Sequence, residues 1–319
     1  MDKFTNSSDN KVVVSIDTEA QPNRAINSQF EKLIDGRFGS DSGGIHRMMD
    51  IADRYGVTLS FFLDYAEVDL YGEKIIRIGQ EIDSRGHDVQ LHFHPEFLSE
   101  DTLKKHGCDR QKLDEIDSYH ASAYVEILLG RHMKATGKSA SAFRGGGYRY
   151  SHNLLKELSK HGIKVSSNHN RAKADRGFEL KYLSNFLWED VGVTEVPVAC
   201  LQGFRNLDRT VAYNFNSGVF LRDSYSVEQV ISRHLEFQKE FFIREGQQAI
   251  CCLVMHSWSL LKKDNKDFFS GVNEHSVDVF EHLLKALKAN SLDTTFDQVS
   301  KLNLREIPTV NSRNAALRN

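Results

Sequence analysis

Cysteine is scarce in this 319-residue chain: there are 4, at Cys108, Cys200, Cys251 and Cys252, and none forms a Cys-x-x-Cys pair. Nothing in that pattern points to an oxidising compartment. Adjacent Cys251 and Cys252 sit in an apolar run and read as small buried hydrophobes. An excess of one charge is also lacking: 41 Lys and Arg stand against 44 Asp and Glu, a formal net charge of -3. Bulk electrostatics therefore favour neither nucleic acid nor anionic lipid as a partner. No stretch approaches the roughly 20 apolar residues of a membrane span. The run Met1-Asp2-Lys3-Phe4-Thr5-Asn6-Ser7-Ser8 is polar and has no apolar signal core. The expectation is a soluble cytoplasmic protein. No linker, low-complexity run or internal repeat divides the chain, so one domain over 1–319 is expected, with polar tails at about 1–10 and 307–319. What is present is an ordinary globular composition, 40% hydrophobic and 27% charged, able to bury a sizeable core.

The most informative residues are His92-Phe93-His94-Pro95, at the end of Gly86-His87-Asp88-Val89-Gln90-Leu91. Asp88 to Phe93 reads as a strand leaving a glycine turn. Residues two apart on a strand share a face, so the two imidazoles can share a metal such as zinc. Pro95 stops the strand and puts the pair at a rim.

Other segments read in the same way. Lys11–Asp17, Val57–Leu63, Ser139–Arg144, Ile163–Ser166, Val193–Ala199, Ala249–Met255 and Leu292–Phe296 are strand candidates. Ile45–Tyr55 and Glu73–Arg85 are helices closed by Gly56 and Gly86, and Gln111–Thr136, Ser151–Lys160, Val227–Phe242 and Val277–Leu287 follow, with Ser151 an N-cap. Strands alternating with helices imply parallel β-α units, and about eight strands suggest a closed or nearly closed barrel.

Catalytic residues of such a barrel gather at the carboxyl ends of its strands. There the sequence offers Asp17 and Glu19, His92 and His94, Arg144, and His256. Two imidazoles and one carboxylate supply three metal ligands, and the second carboxylate can act as base on a water. Arg144 can hold that base by a charge-assisted bond. A histidine opposite can protonate a leaving amine, and backbone N–H groups of Gly145-Gly146-Gly147 can face an oxyanion. Each has a bland alternative. His256 could be a satisfied core histidine, Arg144 could pair with a structural carboxylate, and the glycines could form only a turn. His87 has the wrong parity for ligation. His46, His106, His120, His132, His161, His234, His275 and His282 lie on or beside helices, where a solvated face is expected. His152 and His169 fall near the site and fit no required role. Phe61, Phe62 and Trp258 read as core, with Trp258 a second candidate for pocket wall.

Val14-Ser15-Ile16-Asp17-Thr18-Glu19, Gly56 to Phe62, Gly86 to Pro95, Phe143-Arg144-Gly145-Gly146-Gly147-Tyr148 and Met255-His256-Ser257-Trp258 occur in the order of the NodB-homology polysaccharide deacetylases, carbohydrate esterase family 4. The chain resembles that family from about Val12 to Phe296. The form Leu91-His92-Phe93-His94-Pro95 looks most like a divergent cytoplasmic branch, the WalW-like proteins, linked to lipopolysaccharide or capsule synthesis. The resemblance implies a distorted (β/α)7 barrel and metal-dependent removal of N-acetyl groups from amino sugars or glycan precursors. It matches Asp17 to the base, His92 and His94 to the metal histidines, Arg144 to the arginine that orients the base, and His256 to the general acid. Gly147 falls where the family uses a backbone N–H for the oxyanion.

Three positions depart from the pattern. Thr18 stands where the family has a metal-binding aspartate, with Glu19 one further on. The histidines are two apart instead of four. The Arg-x-Pro-Tyr motif lacks its proline and has glycine at the tyrosine position. Glu19 shares Asp17's parity and can reach the metal, with Asp17 as base; the reverse assignment is the alternative. Zinc suits the donor set, as do cobalt, nickel and iron. Two other functions stay open: hydrolysis of a non-sugar C–N bond, as in allantoinase-like relatives, and a metal-free sugar-binding or scaffold protein.

Overall fold

Period-2 alternation sorts the strands into two faces. In β1 (Asn10–Thr18), Val12, Val14 and Ile16 pack in the large cluster under the helices, whereas Val13 packs in an inner cluster with Phe62, Ala142, Val165, Ile250, Cys252 and Val254. The parity of Val13 carries Ser15 and Asp17 to the inner face as well. Apolar side chains thus fill the bottom of the interior, and polar ones are left at the carboxyl end.

The computed structural model describes residues 10–20, 29–170, 185–202, 212–214, 231–232, 235–236, 248–265, 268–302, 307 and 309–311. After β1 come β2 (Ser60–Asp64), β3 (Asp88–Phe93), β4 (Ala142–Gly145), β5 (Val165–Ser166), β6 (Val193–Glu195) and β7 (Ala249–His256). Their order is β7-β1-β2-β3-β4-β5-β6, with every neighbouring pair parallel. Phe186–Trp188 pairs antiparallel with β6, and Asp293–Thr294 pairs with β1. The chain leaving β6 meets the outer edge of β7 through a parallel bridge between Val198 and Cys252, where Ala199 N–H donates to Cys252 O at 2.8 Å. The architecture is mixed α/β with a strongly curled sheet.

Helices α1 (Ile45–Tyr55), α2 (Glu73–Ser84), α3 (Ser118–Thr136), α4 (His152–Lys160) and α5 (Glu274–Ala289) cover the outer face. Gly56 ends α1 at φ 61°, a left-handed conformation that glycine adopts without steric cost. Ser151 caps α4 by accepting from Leu154 N–H. No helix among the described residues is long and apolar enough to cross a membrane.

The structure shifts several expected boundaries. Helix α3 starts at Ser118 and not Gln111, because the Asp117 side chain caps it by accepting from His120 N–H. Strand β4 starts at Ala142 and not Ser139, since the Gln90 side chain accepts the N–H groups of Ser141 and Ala142. The last expected strand stops at Thr294, because Thr295 opens a capping box for the short helix Phe296–Val299. Most of the expected helix 227–242 lies outside the described residues, as do the tails 1–9 and 312–319. Thr309 and Val310, expected in a frayed tail, instead pair with Leu187 and Trp188.

Candidate active site

Parallel register sets the first pair of residues. Asp17 lies opposite His256, and His92 lies opposite both Asp64 and Arg144. Arg144 is fully buried and its fork is filled. Nη1 donates to Asp17 Oδ1 at 2.6 Å, Nη2 to Ser15 Oγ at 3.0 Å and Ser167 Oγ at 2.9 Å, and Nε to Ser167 O at 3.1 Å. The Phe62 ring covers the guanidinium at 4.2 Å. Burial works against the charged form of Arg144, and the groups around it, Asp17 foremost, together more than offset it. Asp17 Oδ2 is left facing His256 Nε2 at 4.0 Å. Cys252 corrects the simple hydrophobe reading, since its sulfur lies 3.4 Å from Arg144 Nη2.

Glu19 follows on the same parity and meets three imidazoles. Its Oε2 is 2.9 Å from His94 Nε2 and 3.7 Å from His92 Nε2, and its Oε1 is 3.7 Å from His256 Nε2. One carboxylate oxygen of Glu19 and one ring nitrogen each of His92 and His94 lie within 4.8 Å of one another. A hard carboxylate with two imidazoles, largely shielded from water, is a donor set that fits zinc or a similar divalent ion.

Without metal, these groups hold one another by charge. Burial alone would raise the Glu19 pKa, but the charge and hydrogen bonds of His94 and His92 hold it well below the usual carboxylate range. Burial likewise opposes a charged His94, yet Glu19 and the Glu96 bond push its pKa up to about 10. A raised folded-state pKa gives stability that is complete below about pH 6.5 and lost as pH rises through about 10. A metal at His94 Nε2 must displace that proton. Zinc affinity is therefore expected to rise by up to about tenfold per pH unit between pH 6.5 and 7.5, with proton release in calorimetry. A pH-independent affinity would contradict this.

His256 is part-buried, and that burial lowers its pKa despite the nearby Asp17 and Glu19 carboxylates. Its ring stacks on Trp258 at 4.6 Å and 27°, which makes Trp258 a wall of the site. Nδ1 of His256 has no hydrogen-bond partner among the described residues.

The glycine turn leaves β4 beside these groups. Gly145 N–H donates to Asn168 Oδ1 at 2.7 Å. A Cβ on Gly146 would lie 2.5 Å from the His94 ring, so only glycine fits there. Gly147 has φ 62° and is exposed. The turn is braced by Glu195, which the sequence reading missed. This fully buried carboxylate accepts from Asn168 N–H at 2.6 Å, His169 N–H at 2.7 Å and Trp188 Nε1 at 3.0 Å, and from Ser166 Oγ. Asp64 was also missed; its Oδ1 accepts His94 N–H at 3.3 Å. It ends an apolar strand as Asp17 does, a signal that could have found it.

Some expectations change. His132 and His120 are buried, not solvated. His132 Nδ1 bonds Tyr65 Oη at 3.0 Å, and burial pulls its pKa down to about 4. His120 sits between Asp109 and Asp117. His234 lies outside the described residues. His87 does not approach the site: its Nδ1 accepts from Leu59 N–H. His152 pairs with Asp190 at 2.9 Å.

No protein-family model matches the chain, and no curated protein matches it. Solved structures do. A protein from Mycobacterium smegmatis, provisionally named a polysaccharide deacetylase, is 11% identical with a TM-score of 0.46, over 97% of this chain and 90% of that one. A family 4 carbohydrate esterase from Streptomyces lividans, solved with acetate, is 10% identical with a TM-score of 0.44, over 94% and 98%. A GH57 branching enzyme from Thermococcus kodakaraensis is 9% identical with a TM-score of 0.57, over 95% of this chain and 73% of that one. The likeness to the branching enzyme is one of fold, and it extends over nearly the whole of this chain.

Proposed function

We propose that this protein is a metal-dependent hydrolase that removes an N-acetyl or other acyl group from an amino sugar or glycan precursor. The observation that carries the reading is the convergence of Glu19, His92 and His94 beside the Asp17–Arg144 pair and His256, at one end of one curled sheet. The ordered motifs that resemble the NodB-homology deacetylases point the same way. On this reading the sheet is the ring of a distorted (β/α)7 barrel, and the enzyme serves lipopolysaccharide or capsule synthesis in the cytoplasm.

Glu19, His92 and His94 would hold the metal, zinc by preference, which when bound would supply Lewis-acid chemistry to the acyl carbonyl and to a water. Asp17 takes the water proton on Oδ2, because Oδ1 is held by Arg144. Asp17 passes that proton to His256 Nε2, which its Oδ2 faces at 4.0 Å, and His256 delivers it to the departing amine. Its lowered pKa keeps it neutral at rest, so it is charged only within the cycle. The N–H of Gly147 faces the oxyanion. Water adds to the acyl carbon, the C–N bond breaks, and a carboxylate and an amine leave.

The test is acetate release from a panel of N-acetylated sugars and nucleotide sugars by zinc-loaded and chelator-stripped protein. The reading expects zinc-dependent release from at least one sugar. Absence of release across the panel, or turnover of cyclic amides alone, counts against it.

A further inference from the structure

Of the two histidines at the proposed metal site, one is oriented at its far nitrogen and the other is not. His94 Nδ1 lies 2.9 Å from Glu96 Oε1, while His92 Nδ1 has no hydrogen-bond partner among the described residues. The chain between His94 and Glu96 is built for this contact. Pro95 opens a one-turn 3-10 helix, Pro95–Phe97, and fixes its first φ. Phe97 N–H donates to His94 O at 3.0 Å, which closes the turn and folds Glu96 back beneath the His94 ring. Arg149 Nη2 donates to the same Glu96 oxygen at 3.3 Å, from the far side of the glycine turn. The ring itself is boxed by Gly146, by the His92 edge at 5.2 Å and by Phe97 at 5.8 Å.

We propose that Glu96 is a positioning residue that, tethered by Arg149, holds His94 by its Nδ1–H and so aims Nε2 at the metal position beside Glu19, making His94 the anchor of the metal site. The inference rests on the metal reading above. A carboxylate behind a ligating histidine sets the tautomer, aims the ring and strengthens the donor. Glu96 needs no contact with metal or substrate for this. The alternative role is a half-exposed ion pair with Arg149 that only tidies the surface, and such pairs contribute little.

The two roles separate in zinc affinity, measured by competition with a chromophoric chelator at fixed pH, alongside the melting temperature of the metal-free protein. Glu96→Ala is expected to weaken zinc binding by about 10–100-fold while the metal-free melting temperature stays within a degree or two. Glu96→Gln keeps an oxygen that can accept from Nδ1–H, and it should recover much of the lost affinity. Cobalt-loaded Glu96→Ala should also show an altered visible absorption band. Wild-type zinc affinity in Glu96→Ala overturns the inference and leaves the metal reading intact. Wild-type protein that takes up no zinc overturns both.

Discussion

Asp17→Asn is expected to keep its metal and lose turnover by about 10²–10⁴-fold, whereas Glu19→Gln is expected to lose the metal. The two carboxylates are two residues apart on one strand face, yet their surroundings differ. Asp17 Oδ1 is committed to Arg144 at 2.6 Å, and Asp17 does not join the cluster of converging donors. Glu19 sits instead among imidazoles, 2.9 Å from His94 and 3.7 Å from His92. Its amide counterpart would offer a neutral, weaker donor to a divalent ion. His92→Ala and His94→Ala should likewise lose metal, because too few donors remain. Zinc titration of the Asp17 and Glu19 variants, paired with single-turnover acetate release, decides the matter. If Asp17→Asn loses zinc and Glu19→Gln retains it, the roles of the two residues are exchanged.

Arg144→Met carries the largest expected cost in stability. The guanidinium is wholly buried and donates to Asp17, Ser15 and Ser167. Methionine would fill much of the volume against Phe62 but leave the Asp17 carboxylate without its partner. Removing one member of a buried ion pair costs about 3–5 kcal/mol, because the other charge stays buried and unpaired. Urea unfolding of metal-free protein should show that loss as a lower midpoint with an unchanged slope. A loss below about 1 kcal/mol would mean that Asp17 takes a proton or a water in place of the arginine. Arg144→Lys should also fall short of wild type, since one ammonium cannot reproduce a fork that bonds in three directions.

Much of this site is legible in the chain because its signals are local. Strand β3 matches its expected bounds, Asp88 to Phe93, since Gly86 opens it and Pro95 closes it. Period-2 parity then places His92 and His94 together without tertiary knowledge. Helix α1 matches because Ile45, Met48, Met49 and Ala52 repeat at helical spacing and Gly56 ends it. The misses have tertiary causes. Glu195 reads as an ordinary polar strand end until Asn168, His169 and Trp188 turn their donors toward it. Glu96 looks like a surface acid until the turn after Pro95 brings it under His94. His132 is a miss of a different kind: it follows Leu128 by four residues on the buried stripe of α3, against Tyr65, so the helical spacing itself could have indicated its burial. The strand Phe186–Trp188 escaped notice because its antiparallel partner breaks the β-α rhythm of the rest of the sheet.

The central claim is that Glu19, His92 and His94 form one divalent metal site. Isothermal titration of chelator-stripped wild-type protein with zinc tests it most directly. The account predicts one equivalent bound per chain with micromolar or tighter affinity, abolished in Glu19→Gln and in His94→Ala. Absence of zinc uptake by the wild type, or undiminished uptake by both variants, would contradict it.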